Sequence, residues 1–383
     1  MRIAFICSGL EPGRDGVGDY SRHLAVECIR RGHEAVILSL HDNGGAVSEI
    51  QTCEGIPVQC LRCPASLPWE ERLQSAREFL TAFHPDWISL QFVPYGYHSR
   101  GMPWRLASGL KSLIAGRPLQ IMFHELWISP GKASSLKHKL LGALQRWIIF
   151  RMIRILKPRA IHTSNPLYAD LLRNGGAEPE ELPLFGNIPV VDVGPEPALP
   201  EQLAASEVPV DAAGRSGWWW VLFFGTLHPE WRSEPFISIL IRAAKRMDKR
   251  LCLISVGRIG VAGETIWETM QREYGEEIVF VKCGEQPEDR ISLLLQIADF
   301  GVAASPLFLI GKSGTANAMF EHGLPVICPR DEGIAPSALP SNPLLYRCDA
   351  SLEARLVEGL PKRAPARRVG EICTRFLAAL TLE

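Results

Sequence analysis

The apolar positions of this chain fall into short runs separated by stretches of helical period. The first run, Arg2 to Cys7 (RIAFIC), is followed at once by a loop of glycine, proline and charge, as a buried strand requires. Beyond that loop Tyr20, Leu24 and Cys28 recur at helical spacing and Gly32 closes the helix, before a second apolar run, EAVILSL. DWISLQF, LQIMFHE and AIHTS read as further strands, with helices expected around residues 70–83, 103–115, 134–156 and 166–174. Strand alternating with helix requires crossover connections, and therefore a parallel sheet covered on both faces.

Between Glu178 and Gly217 the texture changes to Pro, Glu, Ala and Gly, which predicts a linker or extended loop. A second alternation follows through WWWVLFFG, LCLISVG, IVFVKCG, DFGVAAS and LPVICP. Near the end Val369, Ile372, Cys373, Phe376, Leu377 and Leu380 form one stripe of a terminal helix. The expected architecture is α/β, with two doubly wound Rossmann-like domains facing an interdomain cleft. The expected bounds are 1–185 for the first domain, 186–216 for the linker, 217–362 for the second domain and 363–383 for a helix that can pack back on the first.

Composition narrows the function classes. A length of 383 residues exceeds what one core usually supports. With 41 basic and 42 acidic side chains the net charge is −1, which gives no overall attraction to nucleic acid. The apolar run at the N-terminus is too brief for a signal peptide, and no run reaches membrane-spanning length, so a cytoplasmic chain, soluble or peripheral at the membrane, is expected. The ten cysteines are scattered through strands and helices, as reduced core thiols would be. Cys60 and Cys63 form a single CxxC without a second pair, and an extended strand points them to opposite faces, so no metal site is expected there.

In doubly wound sheets ligands bind beyond the carboxyl ends of the strands. The stretch KSGTANAMFEHGLPVIC opens a helix with Lys312, Ser313, Gly314 and Thr315. Its exposed N–H groups, dipole and lysine suit a phosphate, and Ser313 or Thr315 also suits an ordinary N-cap. Gly16 and Gly18 precede the first helix and offer backbone to a substrate or phosphate. The dinucleotide fingerprint fails there, because its third glycine is Ser21, and the chain has no Walker A loop.

Together GVGDYSRHLAVECIRRGHEAVIL, FHELW, IHTSNPLYADLL, FFGTLHPEW and VKCGEQPEDRISLLLQIADFGVAASP, with the KSGTANAMFEHGLPVIC stretch, resemble the large retaining glycosyltransferase family of GT-B fold, the family 4-like group of bacterial sugar transferases. The resemblance implies a hexosyltransferase that takes a UDP- or GDP-linked sugar as substrate, needs no cofactor or obligatory metal, and transfers to a glycan, lipid-linked or small-molecule acceptor. It places Gly16, Gly18 and Asp19 at the donor phosphates and acceptor, and His124 at the donor sugar with Glu125 orienting its neighbours. Gly284 and Glu285 fall at the nucleobase. The family's basic pair is altered: Thr226 stands where arginine is usual, leaving Arg232 and Lys312 as the cations for a diphosphate that Ser313, Gly314 and Thr315 would hold. Two glutamates usual in the family are replaced by Gly311 and Ala318; Glu321, one turn further on, is retained as a donor-side candidate. Front-face attack assisted by the leaving diphosphate needs no nucleophilic carboxylate. The competing reading is a GT-B-like protein that binds a nucleotide or glycan without transfer.

Residues 132–159 contain no acid and carry Lys132, Lys137, Lys139, Arg146, Arg151, Arg154, Lys157 and Arg159 among apolar side chains. That composition fits peripheral contact with an anionic membrane, or an amphipathic crossover helix packed on its own sheet.

Overall fold

The computed structural model describes residues 1–45, 47–128, 136–192, 194, 199–209, 212–331 and 341–381. Its internal contacts divide the chain into two compact units, Met1–Pro183 with Val369–Glu383, and Leu184–Arg368. Lys132 lies outside the described residues.

The first unit is built on one sheet of eight strands: β1 (Arg2–Cys7), β2 (Glu34–Asp42), β3 (Val47–Cys53), β4 (Ile56–Pro64), β5 (Trp87–Phe92), β6 (Leu119–Phe123), β7 (Ala160–Thr163) and β8 (Glu180–Glu181). Their order is β3-β4-β2-β1-β5-β6-β7-β8, so the winding reverses between β1 and β5. Neighbours pair in parallel except β3 with β4. That hairpin is not anticipated by the sequence pattern. Its turn is Glu54-Gly55, both in the left-handed region (φ 50° and 76°), and glutamate at the first position lacks the turn signal that Asn or Asp would give. The terminal helix, Val369–Thr381, closes this unit: Phe376 stacks on Phe5 at 5.7 Å, and Arg31 donates to Thr374 Oγ1 and the Gly370 carbonyl, both at 2.6 Å.

The second unit carries β9 (Trp218–Phe224), β10 (Arg250–Val256), β11 (Ile278–Gly284), β12 (Phe300–Val302), β13 (Val326–Cys328) and β14 (Leu345–Arg347), in the order β11-β10-β9-β12-β13-β14 and all parallel. The run WWWVLFF shows why a parallel sheet needs apolar residues on both faces. Trp218, Trp220 and Leu222 enter one core while Val221 and Phe223 enter the other, under the helix Phe236–Arg246. The stretch expected to be a linker is not a free tether: its Leu203 and Val208 are buried in the first of these cores.

Candidate functional site

The carboxyl edge of the second sheet is lined by backbone. The carboxyl ends of β9, β10 and β11 each carry a left-handed glycine: Gly225 (φ 78°) and Gly257 (84°) directly after their strands, and Gly284 (67°) as the last residue of β11. Gly225 N–H donates to the Val256 carbonyl at 2.9 Å and Gly257 N–H to the Gly284 carbonyl at 2.7 Å, which knits the three turns into a row. Such turns bend the chain sharply and keep side chains off the edge, so a ligand can approach the main chain. A Cβ on Gly225 would stand 3.0 Å from Thr315 Cγ2. The helix Gly314–Glu321 therefore begins against this row, beside the reversal of strand order between β9 and β12 where doubly wound sheets bind ligands.

Ser313 is the N-cap of that helix, accepting from Ala316 N–H at 3.3 Å and lying 3.1 Å from Thr315 Oγ1. The capping reading is realised at Ser313, and the helix's positive end still faces the glycine row. Asn317 Nδ2 donates to the carbonyls of Ser313 (2.9 Å) and Gly311 (3.4 Å), fixing the turn that carries half-buried Lys312. Packing explains one missing glutamate. Ala318 is buried, and a Cβ on Gly186 would lie only 2.6 Å from its Cα, so a longer side chain at 318 would have to displace the chain at Gly186. Glu321 is also internal: it is 2% exposed and accepts from Gly186 N–H at 3.0 Å. Burial pushes its carboxyl up to about 7 against the opposing hydrogen bonds from Gly186 and Arg368. The donor-side role expected of Glu321 is corrected to an anchor of the chain at Gly186.

Of the two expected cations, Arg232 is exposed and spends its Nη1 on the Pro229 and Trp231 carbonyls (3.0 and 3.1 Å), within its own turn. The cation that stands at the glycine row is Arg258, directly after Gly257, whose Nε lies 3.7 Å from Glu285 Oε2. Sequence reasoning missed it. A lone arginine after a strand has no signal until the neighbouring strand brings Glu285 beside it.

In the first unit His124 follows β6, with its N–H donating to the Phe92 carbonyl at 3.1 Å and its ring edge-on to Tyr20 at 5.0 Å. A buried polar chain fixes the ring. His124 Nε2 meets Gln91 Oε1 at 2.9 Å, Gln91 Nε2 donates to Ser89 Oγ at 2.7 Å, Ser89 Oγ to Gln120 Oε1 at 2.6 Å, and Gln120 Nε2 to His162 Nδ1 at 3.0 Å. An amide oxygen only accepts, so His124 carries a proton on Nε2. At the far end burial pushes His162 down to about 4, keeping it neutral. Glu125 is half-buried beside His124.

The first glycine loop is more occupied than expected. Asp15 caps the helix Gly16–Arg30 by accepting from Val17 N–H (3.0 Å) and Gly18 N–H (2.8 Å), so its own carboxylate takes two donors expected for a substrate. Burial is the chief cause that raises the Asp15 carboxyl. Gly18 serves close packing, since a Cβ there would lie 2.6 Å from the Gly9 carbonyl oxygen, whereas Gly16 is exposed with open space at its Cβ position. Asp19 accepts from Gly13 N–H at 3.0 Å and pairs with buried Arg22, which gives it the task of holding the loop shut.

The family described as glycosyl transferase 4-like domain matches residues 15–187. The matched stretch carries the capped loop, the His124 chain and most of the first sheet, and it is similar to that family over a little under half of the chain. No curated protein matches the chain in sequence. Among solved structures, Anabaena Alr3699/HepE in complex with UDP and glucose superposes with a TM-score of 0.59 at 14% identity, covering 100% of both chains. The catalytic domain of starch synthase IV from Arabidopsis thaliana, bound to ADP and acarbose, gives 0.57 at 13% identity over 100% of this chain and 99% of that one. The UDP-GlcNAc 2-epimerase of Methanocaldococcus jannaschii gives 0.52 at 12%, over 100% and 99%. The fold is thus the two-domain GT-B architecture, which transferases and epimerases share.

Proposed function

We propose that the glycosyl transferase 4-like domain and the second unit together form a hexosyltransferase that moves a sugar, with retention, from a UDP- or GDP-linked donor to an acceptor. The row of left-handed glycines against the N-terminus of Gly314–Glu321, with Arg258 at its edge, carries this reading. A diphosphate leaving group needs its growing negative charge stabilised, and helix N–H groups with a cation supply this without a metal. His124, held in one tautomer, is the residue for the donor sugar. Retention rests on the resemblance to the retaining family, in which front-face attack assisted by the leaving diphosphate needs no nucleophilic carboxylate.

The acceptor side is read from the helix Leu136–Leu156. It buries Ile148, Ile149 and Met152, while Leu136 (73%), Leu140 (64%) and Trp147 (53%) stand exposed among Lys137, Lys139 and Arg146. One face of the helix therefore packs, and the other offers apolar side chains in a basic surround. Such a face fits an anionic membrane and, with it, a lipid-linked acceptor. Among the described residues no helix is long and apolar enough to cross a membrane.

The test is a screen of nucleotide sugars by thermal shift, followed by transfer and donor-hydrolysis assays with the stabilising donor. Transfer with the anomeric configuration kept supports the proposal. Binding without any turnover, or epimerisation of the donor, overturns it in favour of a nucleotide-binding or epimerising GT-B protein.

A further inference from the structure

Outside the donor-side residues, the helix Gly16–Arg30 meets the β3–β4 hairpin at a cluster of three different ligand types. His23 Nδ1 lies 2.9 Å from Glu54 Oε1 and 3.4 Å from Cys53 Sγ, and the three atoms are mutually within 4.8 Å. His23 is buried, while Cys53 and Glu54 are half-buried, so the cluster is sheltered but reachable. Arg30 Nη2 donates to the other carboxylate oxygen, Glu54 Oε2, at 2.8 Å, which orients Oε1 towards the imidazole.

The two-residue turn, with φ 50° at Glu54 and 76° at Gly55, brings the Glu54 side chain to the helix beside Cys53. The converging groups are also soft, borderline and hard donors around one point, whereas an ion pair with His23 requires only the carboxylate. We propose that His23 Nδ1, Cys53 Sγ and Glu54 Oε1 bind one divalent transition-metal ion of the zinc type, which clamps the hairpin turn to the first helix.

The separations suit such an ion. With bonds of about 2.3 Å to sulfur and about 2.0 Å to nitrogen and oxygen, the two separations from His23 Nδ1 correspond to angles of roughly 100° and 90° at the metal. A thiolate, an imidazole and a carboxylate form a set that zinc and cobalt accept and that calcium or magnesium does not favour. Metal binding requires a thiolate at Cys53 and an unprotonated Nδ1 at His23, so protons compete with the metal for both.

The test uses the full chain stripped with chelator and titrated with cobalt chloride, then zinc chloride. A thiolate-to-cobalt charge-transfer band saturating at one equivalent, displaced by zinc, is expected. Cys53→Ser should abolish the band with the circular-dichroism spectrum unchanged, Glu54→Gln should weaken cobalt binding about tenfold or more, and Cys348→Ser, at another half-buried thiol, should leave the band intact. Zinc should also raise Tm more at pH 8 than at pH 6, because fewer protons then compete for His23 and Cys53. Absence of the band in the wild-type chain, its persistence in Cys53→Ser, or a zinc effect on Tm that is independent of pH would each overturn the site.

Discussion

Arg258 Nε lies 3.7 Å from Glu285 Oε2, joining the loops that follow β10 and β11 across the row of left-handed glycines. Both side chains are substantially exposed, so the pair adds little to stability. Under the proposed function, the pair holds a guanidinium at the glycine row for the donor's diphosphate.

Arg258→Ala should weaken UDP or GDP binding by about 1.5–3 kcal/mol, the scale of a lost charge-assisted hydrogen bond, and adding Lys312→Ala should weaken it further. Arg232→Ala should leave affinity close to wild type, because that guanidinium is bonded within its own turn. Calorimetry on folded variants separates these outcomes; equal losses from Arg232 and Arg258 would remove the assignment.

For His124 the expected partner is the sugar and not the bare nucleotide. His124→Ala should lower kcat about 100-fold or more while UDP or GDP affinity stays near wild type. Unchanged kinetics with the true donor would return His124 to a structural role.

The buried carboxyl of Glu321 makes a prediction about pH. Its folded value of about 7 lies above the ordinary 4.5, so the native state holds its proton more tightly than the unfolded chain. The stability this provides is complete below about pH 4.5 and is lost as pH rises through 7. Relative to Glu321→Gln, wild-type stability should therefore fall by up to about 3 kcal/mol between those limits, at 1.36 kcal/mol per pH unit. Urea midpoints measured across the range for both chains would show it, and parallel pH profiles would contradict it.

Trp147 and Leu140 give the membrane prediction. Vesicles containing phosphatidylglycerol should sediment the protein at low salt and release it as salt is raised, since exposed charges are screened. Leu140→Glu should reduce binding without lowering Tm, because that side chain is exposed, while Trp147→Ala should reduce binding and also lose the ring contacts with Trp104 and Arg151. Absence of sedimentation at low salt would point to a soluble acceptor.

Much of the fold was legible in the sequence because it depends on local periodicity. RIAFIC, WWWVLFF and the stripe Val369 to Leu380 state their burial within a few residues, and the alternation of strands with helices leads to a parallel sheet. Asp15 was locally legible too: an aspartate just ahead of Gly-Val-Gly is an N-cap, and recognising it would have shown that two N–H groups were already taken. The β3–β4 hairpin was missed because Glu54-Gly55 lacks the usual turn residues.

Local patterning was thus enough for most of the strands and helices, for the α/β class and for the glycines and hydroxyls at the helix mouth. These follow from side-chain chemistry read along a few residues. Only the tertiary structure decided that Arg258 faces Glu285, that Ala318 packs against Gly186, that Glu321 turns inward, and that His23 meets Cys53 and Glu54. Each of those relationships joins residues far apart in the chain. Which of them meet is set by strand order and packing, and a carboxylate carries no local mark of whether it will face solvent or a backbone N–H in the core.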